Sequence, residues 1–373
     1  MAVFKTFPIQ DTTLYSSYPE MNSGLDAICE ISNTLDIAGS PCITRYLTLF
    51  DNSELTDIIN NKIQNKSYSV FLKNSIALAE GINADVSVEV RPIAQHWNNG
   101  TGHFLDSPQI KDGAGWNSPT YSGSASWSIS GSVSGYSYTG STNLSYSSIG
   151  GGNWFTTGSF LSTQSFGLRS DKNLSLDVSN VVNSWYSGSI PNYGFITKLS
   201  SSYEFNNSTY AQPILKYYSV DTNTIYPPYL EFRWDDYNTV LNSPLSSSIV
   251  TDSLVKVGLS ENGGIFHPDS VNRFRVNVSP LYPTRTFQTS SLFTNINYLP
   301  TSSYYAIKDL GTNEYIVDFD PNYTKISSDV NGNYFDVYMS GLEPNRFYCI
   351  LIKTTINNST LILDNNYYFK VNN

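Results

Sequence analysis

Short runs in which apolar and polar side chains alternate recur along the whole 373-residue chain, and they restrict its fold more than any other feature. Asp85-Val-Ser-Val-Glu-Val-Arg91, Tyr229-Leu-Glu-Phe-Arg-Trp234, Arg273-Phe-Arg-Val-Asn-Val278 and Tyr334-Phe-Asp-Val-Tyr-Met339 all keep a period of two. Successive side chains of a strand point to opposite faces, so each run reads as a strand with one face toward a core. Gly, Pro, Asn and Asp bound the runs, as turns require. The 28 Tyr, 19 Phe and 6 Trp supply bulk that packs well on a pleated surface, while charged residues make up only 14%. The expectation is an all-β chain of sandwich architecture. Its length fits two or three domains.

Two segments break the period and read as short capping helices. Val178, Val181, Val182 and Trp185 fall at i, i+3, i+4 and i+7, with Ser179 placed to cap the start and Gly188 the end. Leu55, Ile58, Ile59 and Ile63 are spaced for one buried stripe. A boundary is expected near residue 237, where Trp234 ends a strand and a Ser/Asn/Pro-rich segment follows. This gives a domain over 1–237 and a second over 238–373. Between about Ser118 and Gly152, Ser and Gly dominate as in a linker, yet Trp127, Ile129, Val133, Tyr136 and Tyr138 recur. Linkers seldom contain Trp. We read the stretch as an ordered insertion, and those five residues as its candidate surface for assembly with a neighbour.

Little in the chain points to chemistry. His96, His103 and His267 lie in no metal-binding spacing, and one loop pair offers two ligands where a zinc site takes at least three from protein. Cys29, Cys42 and Cys349 form neither a CxxC pair nor a disulfide framework, and read as buried thiols. The pair Asp235/Asp236 sits at a strand end, where solvation accounts for it. Nucleophile elbows and phosphate loops are absent from the sequence. No catalytic residue, metal or cofactor is expected. Lys and Arg total 21 against 31 Asp and Glu, and the net charge of −10 repels phosphate backbones, so nucleic acid is not an expected partner. No run approaches the ~18 apolar residues that span a bilayer, and the first residues lack the apolar stretch of a secretory signal. Synthesis in a cytoplasm without membrane insertion is the expectation. The triplets at Asn99, Asn143 and Asn207 match the glycan acceptor pattern, as chance supplies in a chain so rich in Asn and Ser.

Four segments taken in order resemble the DNRLRE-type modules, jelly rolls related to carbohydrate-binding modules. They are Phe7-Pro-Ile-Gln-Asp11 through Asn22-Ser-Gly-Leu25; Arg45-Tyr-Leu-Thr-Leu-Phe-Asp51; Val86-Ser-Val-Glu-Val90 with Trp97 and Gly100 to Trp116; and Leu176-Asp-Val-Ser179 through Trp185 to Asn192-Tyr-Gly-Phe-Ile196. They cover about residues 1–235. The resemblance implies a jelly-roll-like sandwich there, with Asp11 and Asp26 the places to look for the structural calcium such modules often carry; acidic turn residues are the plainer reading. The Ser/Gly-rich insertion departs from the family pattern. Gly341-Leu-Glu-Pro-Asn-Arg-Phe-Tyr348 resembles the tyrosine corner of fibronectin-type sandwiches, and so implies an immunoglobulin-like second domain. Thr222 to Asp236 and Tyr368-Phe-Lys-Val371 are similar to structural proteins of T4-like tailed marine bacteriophages. What this implies is a non-enzymatic virion protein of the tail, neck or baseplate, assembled in the host cytoplasm through symmetric contacts with copies of itself and other virion proteins. A carbohydrate-binding adhesin on a fibre, recognising surface glycan, is the alternative.

Overall fold

The structure, a computed structural model, describes residues 2–82, 84–121, 123–143, 148–205, 212–239, 248–251, 254–260, 262–282 and 296–372. Asn207, residues 122 and 144–147 of the insertion, and most of the Ser/Asn/Pro-rich segment after Trp234 lie outside the described residues. The chain is all-β and divides into two compact units. The larger consists of Thr6–Gln64 and Ser69–Glu231; the smaller of Met1–Lys5, Asn65–Tyr68 and Phe232–Asn373. The chain therefore passes between units after Lys5, Gln64, Tyr68 and Glu231.

The strands up to residue 234, of which β1 lies almost wholly in the smaller unit and β5 and β15 run across the border, are β1 (Ala2–Thr6), β2 (Pro8–Tyr15), β3 (Ile28–Leu35), β4 (Pro41–Phe50), β5 (Tyr68–Asn74), β6 (Ile76–Glu80), β7 (Val86–Pro92), β8 (Ser130–Val133), β9 (Tyr136–Asn143), β10 (Ser148–Phe155), β11 (Ser162–Phe166), β12 (Leu174–Asp177), β13 (Phe195–Leu199), β14 (Ile214–Tyr218) and β15 (Tyr229–Trp234). The main sheet runs β11-β7-β13-β4-β3-β14-β6, and β2 adds to β4. Phe195 of β13 lies opposite Thr48 of β4 and Pro92 of β7, which fixes the register at its centre. In β7 the period of two is complete: Val86, Val88 and Val90 are buried, and Ser87, Glu89 and Arg91 alternate with them. The register sends Phe195 to one face, where its ring meets Phe50 and Trp185 at 6.2 and 4.6 Å. β5 and β12 pair apart from the main sheet, with Leu176 opposite Leu72.

Helices cover this jelly-roll-like sandwich as the apolar spacing requires. α1 (Asn52–Asp57) runs on into a π-helical turn over Ile58–Ile63, and buries Leu55, Ile58, Ile59 and Ile63. α2 (Ser179–Tyr186) buries Val181, Val182 and Trp185. Its start differs from the sequence expectation, because Ser179 is already helical and Val178 holds the cap position. Asp177 does the satisfying instead, accepting from the Ser179 N–H at 2.9 Å. α3 (Ser201–Glu204) is a single turn after β13.

The other face of the main sheet is covered as well. Leu14, Ile43, Leu47 and Ile196 project from it into a cluster with Trp97, Ala114, Trp116 and Trp127 of the long loop after β7. The insertion follows as an antiparallel meander, β10-β9-β8.

The smaller unit contains β16 (Ser248–Ile249), β17 (Val255–Ser260), β18 (Ile265–Phe266), β19 (Val271–Pro280), β20 (Asn297–Tyr298), β21 (Ser303–Asp309), β22 (Tyr315–Val317), β23 (Ser327–Asp329), β24 (Gly332–Tyr338), β25 (Phe347–Ile356) and β26 (Ser359–Val371). Its two main sheets, β17-β19-β24-β23 and β18-β26-β25-β21-β22, enclose one apolar core. Tyr305 stacks on Phe335 at 4.2 Å, and Phe274 and Phe369 continue the aromatic column. The Tyr348 hydroxyl donates to the Glu343 carbonyl at 3.0 Å, the backward bond of a tyrosine corner. This unit is an immunoglobulin-like sandwich.

Candidate functional site

Alternation on β4 places Arg45 between Ile43 and Leu47, on the face that the insertion covers. A guanidinium there cannot reach water, and its side chain is 0% exposed. It is instead fully engaged. Nε donates to Glu204 Oε1 at 2.7 Å, Nη1 to the Gly151 carbonyl at 2.6 Å and Nη2 to Ser141 Oγ at 3.0 Å. Its plane lies over the rings of Trp116 and Trp154, 4.9 and 5.1 Å from their centroids. Lys198 of β13, equally buried, sits 2.5 Å from Glu89 and 3.3 Å from Glu204, with its ammonium 5.0 Å from the Trp154 centroid. Arg91 closes the network by donating to the Phe155 carbonyl at 3.3 Å. Burial pushes the Glu204 carboxyl up, but Arg45 and Lys198 outweigh it and hold the group below the ordinary range.

These contacts join β4, β7 and β13 of the sheet to β9, β10 and α3. Gly151 shows how closely: its φ is +74°, and a Cβ there would lie 2.7 Å from the Trp116 ring and 2.9 Å from Arg45 Nη1. The charges are paired within the protein and sealed beneath the insertion. Such a cluster adds little stability over an apolar core, but each member left alone would be costly. Through Gly151 and Ser141 it ties the insertion to the sheet.

The five residues read from sequence as an assembly surface separate into two groups. Trp127 is 3% exposed, belongs to the cluster under the sheet, and donates its indole N–H to the Gly115 carbonyl at 3.0 Å. It is therefore core, because a ring with a satisfied N–H and aromatic neighbours has no reason to face water. Tyr136 and Tyr138 are half-buried on β9, turned back onto Phe160 and Phe155 at 5.3 and 6.3 Å. Val133 is half-buried, and Ile129, 47% exposed, stands free beside the exposed backbone of Ser130, Gly131 and Ser132. Of the five, only Ile129 is exposed, and it lies beside the outer edge of β8.

The remaining candidates lie apart from this network. His103 sits 3.6 Å from Asp26, His96 stands edge-on to Tyr193, and His267 lies exposed beside Asp269. Asp26 accepts the Phe104 N–H with both oxygens. Asp11 is buried and accepts from the Val220 N–H at 2.7 Å and the Tyr46 hydroxyl at 3.5 Å. Burial pushes its carboxyl up to about 7. Among the described residues, no group of three or more His, Cys, Asp or Glu side chains is arranged to hold a metal ion. No helix among them is long and apolar enough to cross a membrane.

Compared with known proteins, the chain matches no family model and no curated sequence.

Proposed function

We propose that this chain is a non-enzymatic structural protein of a bacteriophage virion, a tail, neck or baseplate component that assembles with copies of itself and with other virion proteins. The observation that carries the reading is the sealed network around Arg45. The insertion that departs from the DNRLRE-type pattern packs, with the loop before it, over the part of one sheet face that holds Arg45, and Arg45 is bonded to its Gly151 and Ser141. A face filled by the chain's own residues serves architecture, whereas a glycan-binding or catalytic face must stay open to its ligand. The resemblance of Thr222–Asp236 to structural proteins of T4-like phages supports the virion as the assembly. Ile129 and the β8 edge are the proposed contact with a neighbouring virion protein.

The test is the chain's presence in mature particles, followed by mass spectrometry and antibody labelling of purified virions and by a particle reconstruction. Fixed copy number, with the insertion against a neighbour, supports the proposal; absence from the particle overturns it. A glycan array with purified protein separates the adhesin reading: saturable binding abolished by substituting an exposed aromatic such as Tyr121 would establish it.

A further inference from the structure

The main sheet ends in two edges of opposite character. At one end β11 is flanked by β12, and Gln164 bonds to the Ser175 N–H and the Asn173 carbonyl. At the other end β6 pairs on one side with β14, and no described strand pairs with its other side. Ile76-Ala-Leu-Ala-Glu80 is short and its pairing with β14 is irregular at Ala77, but it has no Pro, no Lys and no inward charge to keep another strand away. Leu78 is 42% exposed, and Leu168, 69% exposed, faces it across an open groove of about 570 Å³. An extended strand would satisfy the backbone groups that β6 leaves free beyond Ile76, whose N–H is held by Asn173, and would cover Leu78.

The occupant is a second copy of the same strand. In an antiparallel pair centred on Leu78, each Leu78 lies opposite its symmetry mate, Ala77 opposite Ala79, and Ile76 opposite Glu80. Like charges never meet within the strand. The Ile76 end is where Lys172 lies: the Ile76 N–H donates to Asn173 Oδ1, and the Lys172 carbonyl accepts from Tyr217, the residue paired with Ile76. Each copy would bring its Glu80, which forms no ion pair among the described residues, to the other's Lys172, whose ammonium donates to the carbonyls of Leu168 and Ser170. Asp171, the acidic neighbour, accepts from the backbone N–H and side-chain amide of Asn173. We infer that β6 is a homodimerisation edge, joining two main sheets across a twofold axis at Leu78. The inference is independent of any role for the insertion.

Sedimentation and light scattering on the full chain test it. Wild type should be a dimer, and Leu78→Lys, placing two ammonium groups on the axis, a monomer with unchanged circular dichroism. Glu80→Lys should weaken association about tenfold through the two symmetry-related pairs, and Lys172→Glu in the same chain should restore it. In a Cys42→Ser background, where the remaining thiols Cys29 and Cys349 are buried, Leu78→Cys should form an intermolecular disulfide on oxidation and Glu80→Cys should not. A wild type that is monomeric, or a dimer untouched by Leu78→Lys and by the charge exchange, overturns the inference. Since Glu80 is exposed and Lys172 half-buried, the exchange reads out even if Leu78→Lys unfolds the protein.

Discussion

Arg45 and Asp11 are both buried, and they respond to substitution in opposite ways. Arg45→Met removes a cation and leaves Glu204 beside Lys198 alone, so unfolding in urea should show a loss of about 3–5 kcal/mol. Arg45→Lys should recover little of it, because an ammonium cannot reach Glu204, Gly151 and Ser141 from one planar fork. Asp11 is held protonated by burial, at about 7 against an ordinary 3.8. A carboxyl raised in the folded state stabilises fully below pH 3.8, and its contribution fades as pH rises to 7 and is gone above it. The total is roughly 4 kcal/mol. Asp11→Asn keeps an acceptor for the Val220 N–H without a titrating proton. Its stability relative to wild type should therefore climb between pH 4 and pH 7.5 in parallel denaturation series, and a pH-independent difference would refute the assignment.

At the level of elements, the meander β8–β10 depends on its close approach to the sheet. Gly151→Ala combines an unfavourable φ with a clash against Trp116, and should cost at least about 1–2 kcal/mol in thermal unfolding. The same elements show how far sequence reaches. β7 was legible because its valines alternate without interruption, and α2 because its stripe from Val178 to Trp185 has helical spacing. Asp177 accepts from the helix start as its place before the helix predicts, whereas Ser179, the other good capping residue, is already helical, because only the backbone decides where the helix begins. Trp127 reads as surface among its serines; its partners Trp97 and Trp116 come from a loop without periodicity. The Arg45 network had one signal, a cation between Ile43 and Leu47 on an otherwise apolar face. Its partner Glu204 lies 159 residues away, beyond any local pattern.

Across the whole molecule, the smaller unit takes in Met1–Lys5, Asn65–Tyr68 and the chain from Phe232, all of which lie or begin before residue 238. Phe4 is buried and meets the Tyr338 ring at 6.2 Å, Trp234 meets it at 5.4 Å, and Lys66 pairs with Asp236 at 2.8 Å. A 238–373 fragment lacks all three, so it should melt below a 232–373 fragment that retains Trp234, whose burial is worth roughly 1.5–3 kcal/mol. Scanning calorimetry of the two fragments checks this; equal transitions would mean that Trp234 adds nothing to this unit. The interleaving also sets a timetable for synthesis. Phe4 leaves the ribosome more than three hundred residues before Tyr338, and Lys66 waits 170 residues for Asp236. The nascent chain must therefore carry an unpaired apolar strand while the larger unit completes around it, so the smaller unit is closed only by the last part of the chain to be made.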